Sequence, residues 1–153
     1  MWLFLLEGVN SHMKNILLSL IIFFGAIFVG GCVNMGIITF GGQLIAPPEG
    51  VNPADVNSIA ENIHLYDPIH FLFPFLAHAV GILMGAYLVA RFAPQFKFVL
   101  ALFVGGLFLL GGIMMVMMLP SPMWFNILDL GVAYIPMGYF GWWLNQPKTE
   151  IVD

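Results

Sequence analysis

The chain has 153 residues, of which 61 % are hydrophobic and 8 % charged, and its formal net charge is −4. A soluble domain is about half apolar and a quarter charged, so this composition excludes an ordinary water-soluble fold. The negative charge argues against a nucleic-acid binder. Several apolar runs reach the roughly 20 residues that a helix needs to cross a bilayer. We therefore expect an all-α integral membrane protein, a single membrane domain over 1–153, with the lipid bilayer as its main surroundings.

Four apolar segments predict a bundle of four transmembrane helices, and prolines mark the joints between them. The first joint is a long loop at 41–68, whereas the third is the tight turn Pro120-Ser121-Pro122. The predicted spans lie at about 16–40, 69–90, 98–119 and 123–144, followed by a tail at 145–153.

The long first loop contains a helix start of its own. Asn52 is a suitable N-cap, and Pro53 occupies the first helical position, where its missing N–H costs nothing. Val56, Ile59 and Ile63 then recur at helical spacing. This pattern predicts a short amphipathic helix at about 53–64, on the outer membrane surface or against the end of the bundle.

The basic residues predict the orientation, because Lys and Arg are retained on the cytoplasmic side. The loop at 41–68 has four acidic residues and no basic one. An arrangement with both termini inside places all the basic residues on one face, so we expect a multi-pass protein of a bacterial cytoplasmic membrane, N-in and C-in. These residues are Lys14, Arg91, Lys97 and Lys148.

The stretch MKNILLSLIIFFGAIFVGGC, from Met13 to Cys32, resembles a bacterial lipoprotein signal peptide. Its apolar run is longer than the usual 7 to 15 residues of a signal core, and the apolar sequence continues beyond Cys32. A plain first span is therefore the favoured interpretation, with a cleaved leader as the alternative. The resemblance also leaves open whether residues 1–12 are made or translation starts at Met13.

Ionisable residues inside predicted spans mark a candidate site. His78 in the second span and Asp129 in the fourth both lie about 9–14 Å below the outer boundary at ~1.5 Å per residue, and Asn34 in the first span lies at a similar depth. Such groups are costly in lipid and need partners inside the bundle. Two interpretations stay open: a proton or ligand site open to the outer face, and a polar clamp between helices. The predicted members are His78, Asp129, Asn34, Asn126 and Tyr134.

A second cluster lies at the outer boundary and has metal-ligand chemistry. Its residues recur at every third position and are suitable ligands for zinc or another divalent metal, although this spacing spreads them around a regular helix. The alternative is a set of ordinary polar residues at a wet boundary. No other cofactor is predicted. The residues are Glu61, His64, Asp67 and His70.

Glycines in the second and third spans predict close helix packing, because small residues let helix backbones approach in lipid. Gly81 and Gly85 form a GxxxG pair in the second span. The third span carries two glycine pairs. The predicted packing residues are Gly81, Gly85, Gly105, Gly106, Gly111 and Gly112.

Three functions are compatible with these features. The first is binding or conduction of a small solute or proton at the His/Asp/Asn site, by a homo-oligomer. The second is an accessory subunit of a larger membrane complex, and the third is a small membrane enzyme that uses His78 as acid or base, or a metal-binding protein. The sequence has no nucleophile elbow, phosphate loop, HExxH or dinucleotide fingerprint, which favours a role other than catalysis. In size and span number the chain is similar to fluoride channels and to membrane enzymes that handle glutathione.

Overall fold

The computed structural model describes residues 2–147, with side chains from residue 10 onward; Lys148 and the rest of the tail lie outside the described residues. Within this range the chain is all-helical and has no strand. Short 3-10 turns at Ile63–Leu65 and Pro68–Phe71 join the second helix to the third. The α-helices are α1 (Trp2–Leu44), α2 (Val56–Asn62), α3 (Leu72–Phe92), α4 (Lys97–Met118), α5 (Met123–Val132) and α6 (Ile135–Trp143).

Three helical segments in the described chain are long and apolar enough to cross a membrane: Asn10–Leu44, Pro68–Phe92 and Lys97–Met118. This supports the prediction of a helical membrane protein. The first segment is much longer than the predicted span at 16–40. At 43 residues, α1 is about 64 Å long, roughly twice the thickness of a bilayer core.

The fourth apolar segment, predicted as one span at 123–144, consists of two helices. α5 ends at Val132, and the backbone at Tyr134 has φ −106° and ψ −86°, outside the helical region. Pro136 explains the position of the break. Its ring has no N–H to donate and would clash with the carbonyl of Val132 four residues earlier, so a regular helix cannot pass this point.

α3 lies at the centre of the structure and packs against α1, α4 and α6. Small residues make these contacts close. A methyl group added at Gly81 would lie 2.8 Å from the carbonyl oxygen of Gly30 on α1, and one added at Gly85 would lie 3.1 Å from that of Ala26. The later residue on α3, Gly85, therefore contacts the earlier residue on α1, Ala26, so the two helices are antiparallel.

The predicted packing glycines divide into two groups. Gly81 and Gly85 approach α1, whereas Gly105 and Gly112 on α4 approach Tyr134. Gly106 and Gly111 instead face open space, and a methyl group added at either would meet no atom within 4 Å. Three further glycines that the sequence patterns did not single out also make close contacts: Gly30 with Gly81, Gly138 with Gly105, and Gly141 with Ala86.

Polar contacts fix the end of the bundle at the α3–α4 turn. The Ser19 hydroxyl, 1 % exposed, donates to the carbonyl of Gln95 at 3.3 Å and accepts the backbone N–H of the same residue at 3.1 Å. The Gln95 side-chain amide is 3.1 Å from Nδ1 of His12. These bonds place His12 and Ser19 of α1 beside the turn between α3 and α4.

The loop helix α2 starts three residues after the predicted position. Asp55 is its N-cap and accepts the backbone N–H of Asn57 at 2.9 Å. Asn52 instead accepts the N–H of Ala54 at 3.0 Å, which forms a turn before the helix. The helix is only 7 residues long and ends at Asn62, where the first 3-10 turn begins.

Candidate functional site: a histidine, aspartate and tyrosine triad

Three of the predicted polar residues lie together where α3 meets the break between α5 and α6. His78 lies in the first half of α3, and Asp129 is in the last turn of α5. Tyr134 lies at the break itself and is the N-cap of α6. We call His78, Asp129 and Tyr134 the triad.

The helix break is what brings Tyr134 to Asp129. Five residues along a regular α-helix correspond to a rotation of about 500°, which would leave the two side chains about 140° apart around the axis. The non-helical backbone at Tyr134 changes this direction, and its hydroxyl donates to Oδ2 of Asp129 at 3.1 Å. Pro136 therefore contributes to the site indirectly, because the helix break that it causes lets the Tyr134 hydroxyl reach Asp129.

The triad is compact and largely enclosed. Nδ1 of His78 lies 2.9 Å from Oδ1 and 2.9 Å from Oδ2 of Asp129, and 3.0 Å from the Tyr134 hydroxyl. Asp129 is 3 % exposed and Tyr134 is 1 % exposed. The His78 side chain retains 22 % of its exposure. Asp129 and Tyr134, both from the fourth apolar segment, thus contact the same ring nitrogen of His78.

The hydrogen-bond pattern assigns the histidine tautomer. A carboxylate only accepts, so the atom of His78 that faces Asp129 must carry a hydrogen. With Nδ1 protonated, the neutral ring has its lone pair on Nε2. A proton taken up there would leave the contacts with Asp129 intact and make the ring a cation beside the carboxylate.

The free nitrogen of His78 keeps access to the surroundings. Its hydrogen bonds in the described part of the chain all involve Nδ1. Among residues 10–147, the one fully enclosed side-chain polar atom without a hydrogen-bond partner is Oδ1 of Asn126. Nε2 of His78, which also lacks a partner, is therefore not fully enclosed. Nδ1 therefore anchors the ring to Asp129 and Tyr134, and Nε2 is left as a hydrogen-bond acceptor.

Tyr134 fits against α4 because glycines leave room for it. A methyl group added at Gly112 would overlap the Tyr134 hydroxyl, and one added at Gly105 would lie 2.9 Å from the Tyr134 carbonyl oxygen. These two glycines are seven residues apart and share a face of α4. The sequence indicated them as packing residues, but not as the surface that holds the tyrosine.

The other two predicted members of the site have different surroundings. Asn34 packs against Gly81, whose added methyl would lie 3.0 Å from the asparagine Cβ, and in the described structure no hydrogen bond joins Asn34 to the triad. The side-chain amide of Asn126 donates to the carbonyl of Ser121 at 3.2 Å. Its Oδ1 is the enclosed unpartnered atom, one helical turn from Asp129.

An apolar groove of about 310 Å³ lies between the start of α3 and α5. It is lined by Phe75, one turn before His78, and by Phe125, one turn before Asp129. The ring centroids of Phe71 and Phe125 are 4.8 Å apart at its edge. The groove is therefore next to the triad, on the side toward the long loop.

The predicted metal cluster is not gathered in the structure. Over residues 10–147, no group of three or more His, Cys, Asp or Glu side chains is close enough to hold a metal ion. Both ring nitrogens of His70 contact backbone groups: Nδ1 accepts the N–H of Asp67 at 3.0 Å, and Nε2 is 3.2 Å from the carbonyl oxygen of Ala46. His70 thereby ties the long loop to the start of α3.

Comparisons with protein-family models, curated proteins and solved structures find no match for this chain.

The contact between Gly112 and Tyr134 gives a matched pair of variants. Gly112→Ala pushes a methyl group into the Tyr134 hydroxyl, whereas Gly111→Ala adds the same methyl to open space. We expect Gly112→Ala to lower the free energy of unfolding by about 1–3 kcal/mol relative to Gly111→Ala, the usual cost of overpacking. Equilibrium unfolding in mixed detergent micelles measures this difference in the free energy of unfolding. Equal stabilities of the two alanine variants would contradict the described packing.

Proposed function

We propose that this chain is a four-span protein of a bacterial cytoplasmic membrane whose triad binds and releases a proton within the bilayer. The observation that carries the proposal is the position of His78 Nδ1, 2.9 Å from both carboxylate oxygens of an almost fully buried aspartate. Ionisable groups at membrane depth are rare and typically belong to proton or ion pathways.

The contacts of α5 and α6 support a fourth traverse. At one end, Phe71 packs against Phe125. At the other, the side chain of Asn145 donates to the carbonyl of Tyr87 at 3.3 Å. Between these points the broken segment follows α3 in the same direction. Irregular backbone at membrane depth is tolerated where it is buried in protein, and Ala133 and Tyr134 at the break are both buried.

The distribution of charge supports the predicted orientation. Contacts of His12 and Ser19 with Gln95 bring Lys14 to the same end of the bundle as Arg91 and Lys97. The opposite end carries the acidic loop. By the positive-inside rule, the end with the cations is cytoplasmic, and the apolar groove next to the triad opens toward the outer side.

The triad's chemistry favours a proton as its ligand. In the described state Asp129 has two donors, His78 Nδ1–H and the Tyr134 hydroxyl. Uptake at Nε2 of His78 converts a site with one negative charge into a neutral ion pair, which lowers the cost of holding the site in lipid. We infer that a proton, or a small solute that donates a hydrogen bond, reaches this nitrogen from the outer side, where the apolar groove lies one helical turn from His78 and Asp129.

A purely structural role for the triad is the alternative that the experiments must separate. Hydrogen bonds between membrane helices contribute about 0.6 kcal/mol on average, so a clamp predicts a modest loss of stability and no response to pH. An accessory subunit would instead be recognised by a partner that co-purifies in mild detergent.

Cysteine labelling tests the four-span arrangement. Single cysteine variants are made in a Cys32→Ala background, and each reports on which side of the membrane its position lies. Glu49→Cys is in the long loop, Lys97→Cys is at the α3–α4 turn, and Pro147→Cys follows α6. In intact cells we expect a membrane-impermeant maleimide to label Glu49→Cys alone, and the other two only after the membrane is opened. Labelling of Pro147→Cys together with Glu49→Cys would show that the broken segment does not cross, and would contradict the proposal.

Infrared difference spectroscopy tests proton binding. For protein in lipid films, bathed in buffers between about pH 4 and pH 9, we expect one component of the reversible imidazole bands to be missing in His78→Gln and to change in Asp129→Asn. The matched control, His64→Gln, removes an exposed histidine outside the triad and should retain that component. A spectrum of the wild type identical to that of His78→Gln would exclude proton binding by the triad and leave the structural role as the explanation.

Dye-loaded proteoliposomes then measure whether the bound proton crosses the membrane. Faster decay of a pH gradient in wild type than in His78→Gln identifies conduction.

A further inference from the structure

A polar cavity, open to the surroundings, lies at the opposite end of the bundle from the long loop. Its volume is about 300 Å³. It lies between the end of α3, the start of α4 and the residues after α6. Arg91 and Lys97 line it, together with Tyr87, Asn145 and Gln146.

Within residues 10–147, no acidic side chain pairs with the cations of this cavity. Three cationic side chains of Lys or Arg are described between residues 10 and 147, and two of them line this one cavity. No carboxylate lines it, and in the described part of the chain neither Arg91 nor Lys97 forms an ion pair. The Arg91 guanidinium carbon lies 5.5 Å from the centre of the Phe92 ring, a contact that leaves the N–H edge of the guanidinium available.

The start of α4 adds to the positive potential. Lys97 is the first residue of α4, a helix of 22 residues, and no side chain caps its N-terminus. The first intrahelical bond at this end runs from the N–H of Leu100 to the carbonyl of Phe96 at 2.8 Å. The preceding N–H groups have no partner within the helix, so the positive end of the helix dipole lies at the cavity that already holds two cations.

We propose that the cavity bounded by Arg91 and Lys97 binds a phosphate group. Arginine presents paired donors that match phosphate oxygens, lysine adds a compact charge, and unpaired N–H groups at a helix start favour the same anion. The other walls of the cavity carry polar side chains, Asn145 and Gln146, that could contact a small attached headgroup. The phosphate comes either from an anionic lipid or from solution, and neither source involves the triad.

Binding of lipid and of free phosphate is measured in separate arms. In the first arm, protein extracted from vesicles of equal parts phosphatidylcholine and phosphatidylglycerol is examined by native mass spectrometry for bound phosphatidylglycerol. In the second, the melting temperature in a non-ionic detergent is compared in sodium phosphate and in sodium chloride of equal ionic strength. Retention of phosphatidylglycerol identifies the headgroup as the source, and stabilisation by phosphate alone identifies a soluble anion.

Three variants make the test specific. Arg91→Gln with Lys97→Gln should weaken the binding about tenfold or more, since each cation near a membrane surface contributes substantially to anion attraction. The charge-preserving pair Arg91→Lys with Lys97→Arg should retain most of it. Lys14→Gln removes a cation from the same end of the bundle but outside the cavity, and should bind as the wild type does. Absence of binding in both arms, or an equal loss in Lys14→Gln, would overturn the proposal.

Discussion

A buried carboxylate needs hydrogen-bond donors, and the donors of Asp129 connect the helices at the centre of this molecule. In lipid-facing helices no water replaces a missing hydrogen bond, so the donors must come from neighbouring elements. His78 supplies one from α3 and Tyr134 supplies the other from the break after α5. The polar contact therefore couples the central helix to the fourth apolar segment. A loss of either donor would leave the charge of Asp129 poorly compensated in a nearly dry environment.

The helix break at Tyr134 and the glycines of α4 make this contact possible. Pro136 prevents a continuous helix and gives Tyr134 a direction that a regular helix would not give it. Gly105 and Gly112 then provide the space on α4 that the aromatic ring and its backbone occupy. The irregular element thus lies inside the protein, where its backbone groups are protected from lipid. At the two ends, His70 and Gln95 use backbone contacts to fasten the long loop and the α3–α4 turn.

The parts of the fold that depend on composition were predictable from sequence, and those that depend on direction around a helix were not. Apolar length indicated helices of membrane length, and the cost of an ionisable group in lipid singled out His78 and Asp129. Depth alone grouped Asn34 with them, yet its side chain packs against Gly81, because depth does not specify which neighbour a residue faces. Gly106 and Gly111 were grouped with Gly105 and Gly112 because adjacent glycines do not specify which of the two faces a neighbouring helix. The contact of Ser19 with Gln95 joins residues 76 positions apart and has no local signal.

Nitrogen NMR of selectively labelled histidine tests whether His78 in the triad binds a proton as we propose. In the neutral state His78 should show a protonated Nδ1 and an unprotonated Nε2, because Nδ1 lies 2.9 Å from both oxygens of Asp129. On acidification Nε2 should gain a proton while the Nδ1 resonance keeps the signature of a hydrogen bond to a carboxylate. In Asp129→Asn the fixed tautomer should be lost. An unprotonated Nδ1 in the neutral ring, or an Nε2 that stays unprotonated at every pH at which the protein is folded, would show that the triad does not bind a proton in the proposed way.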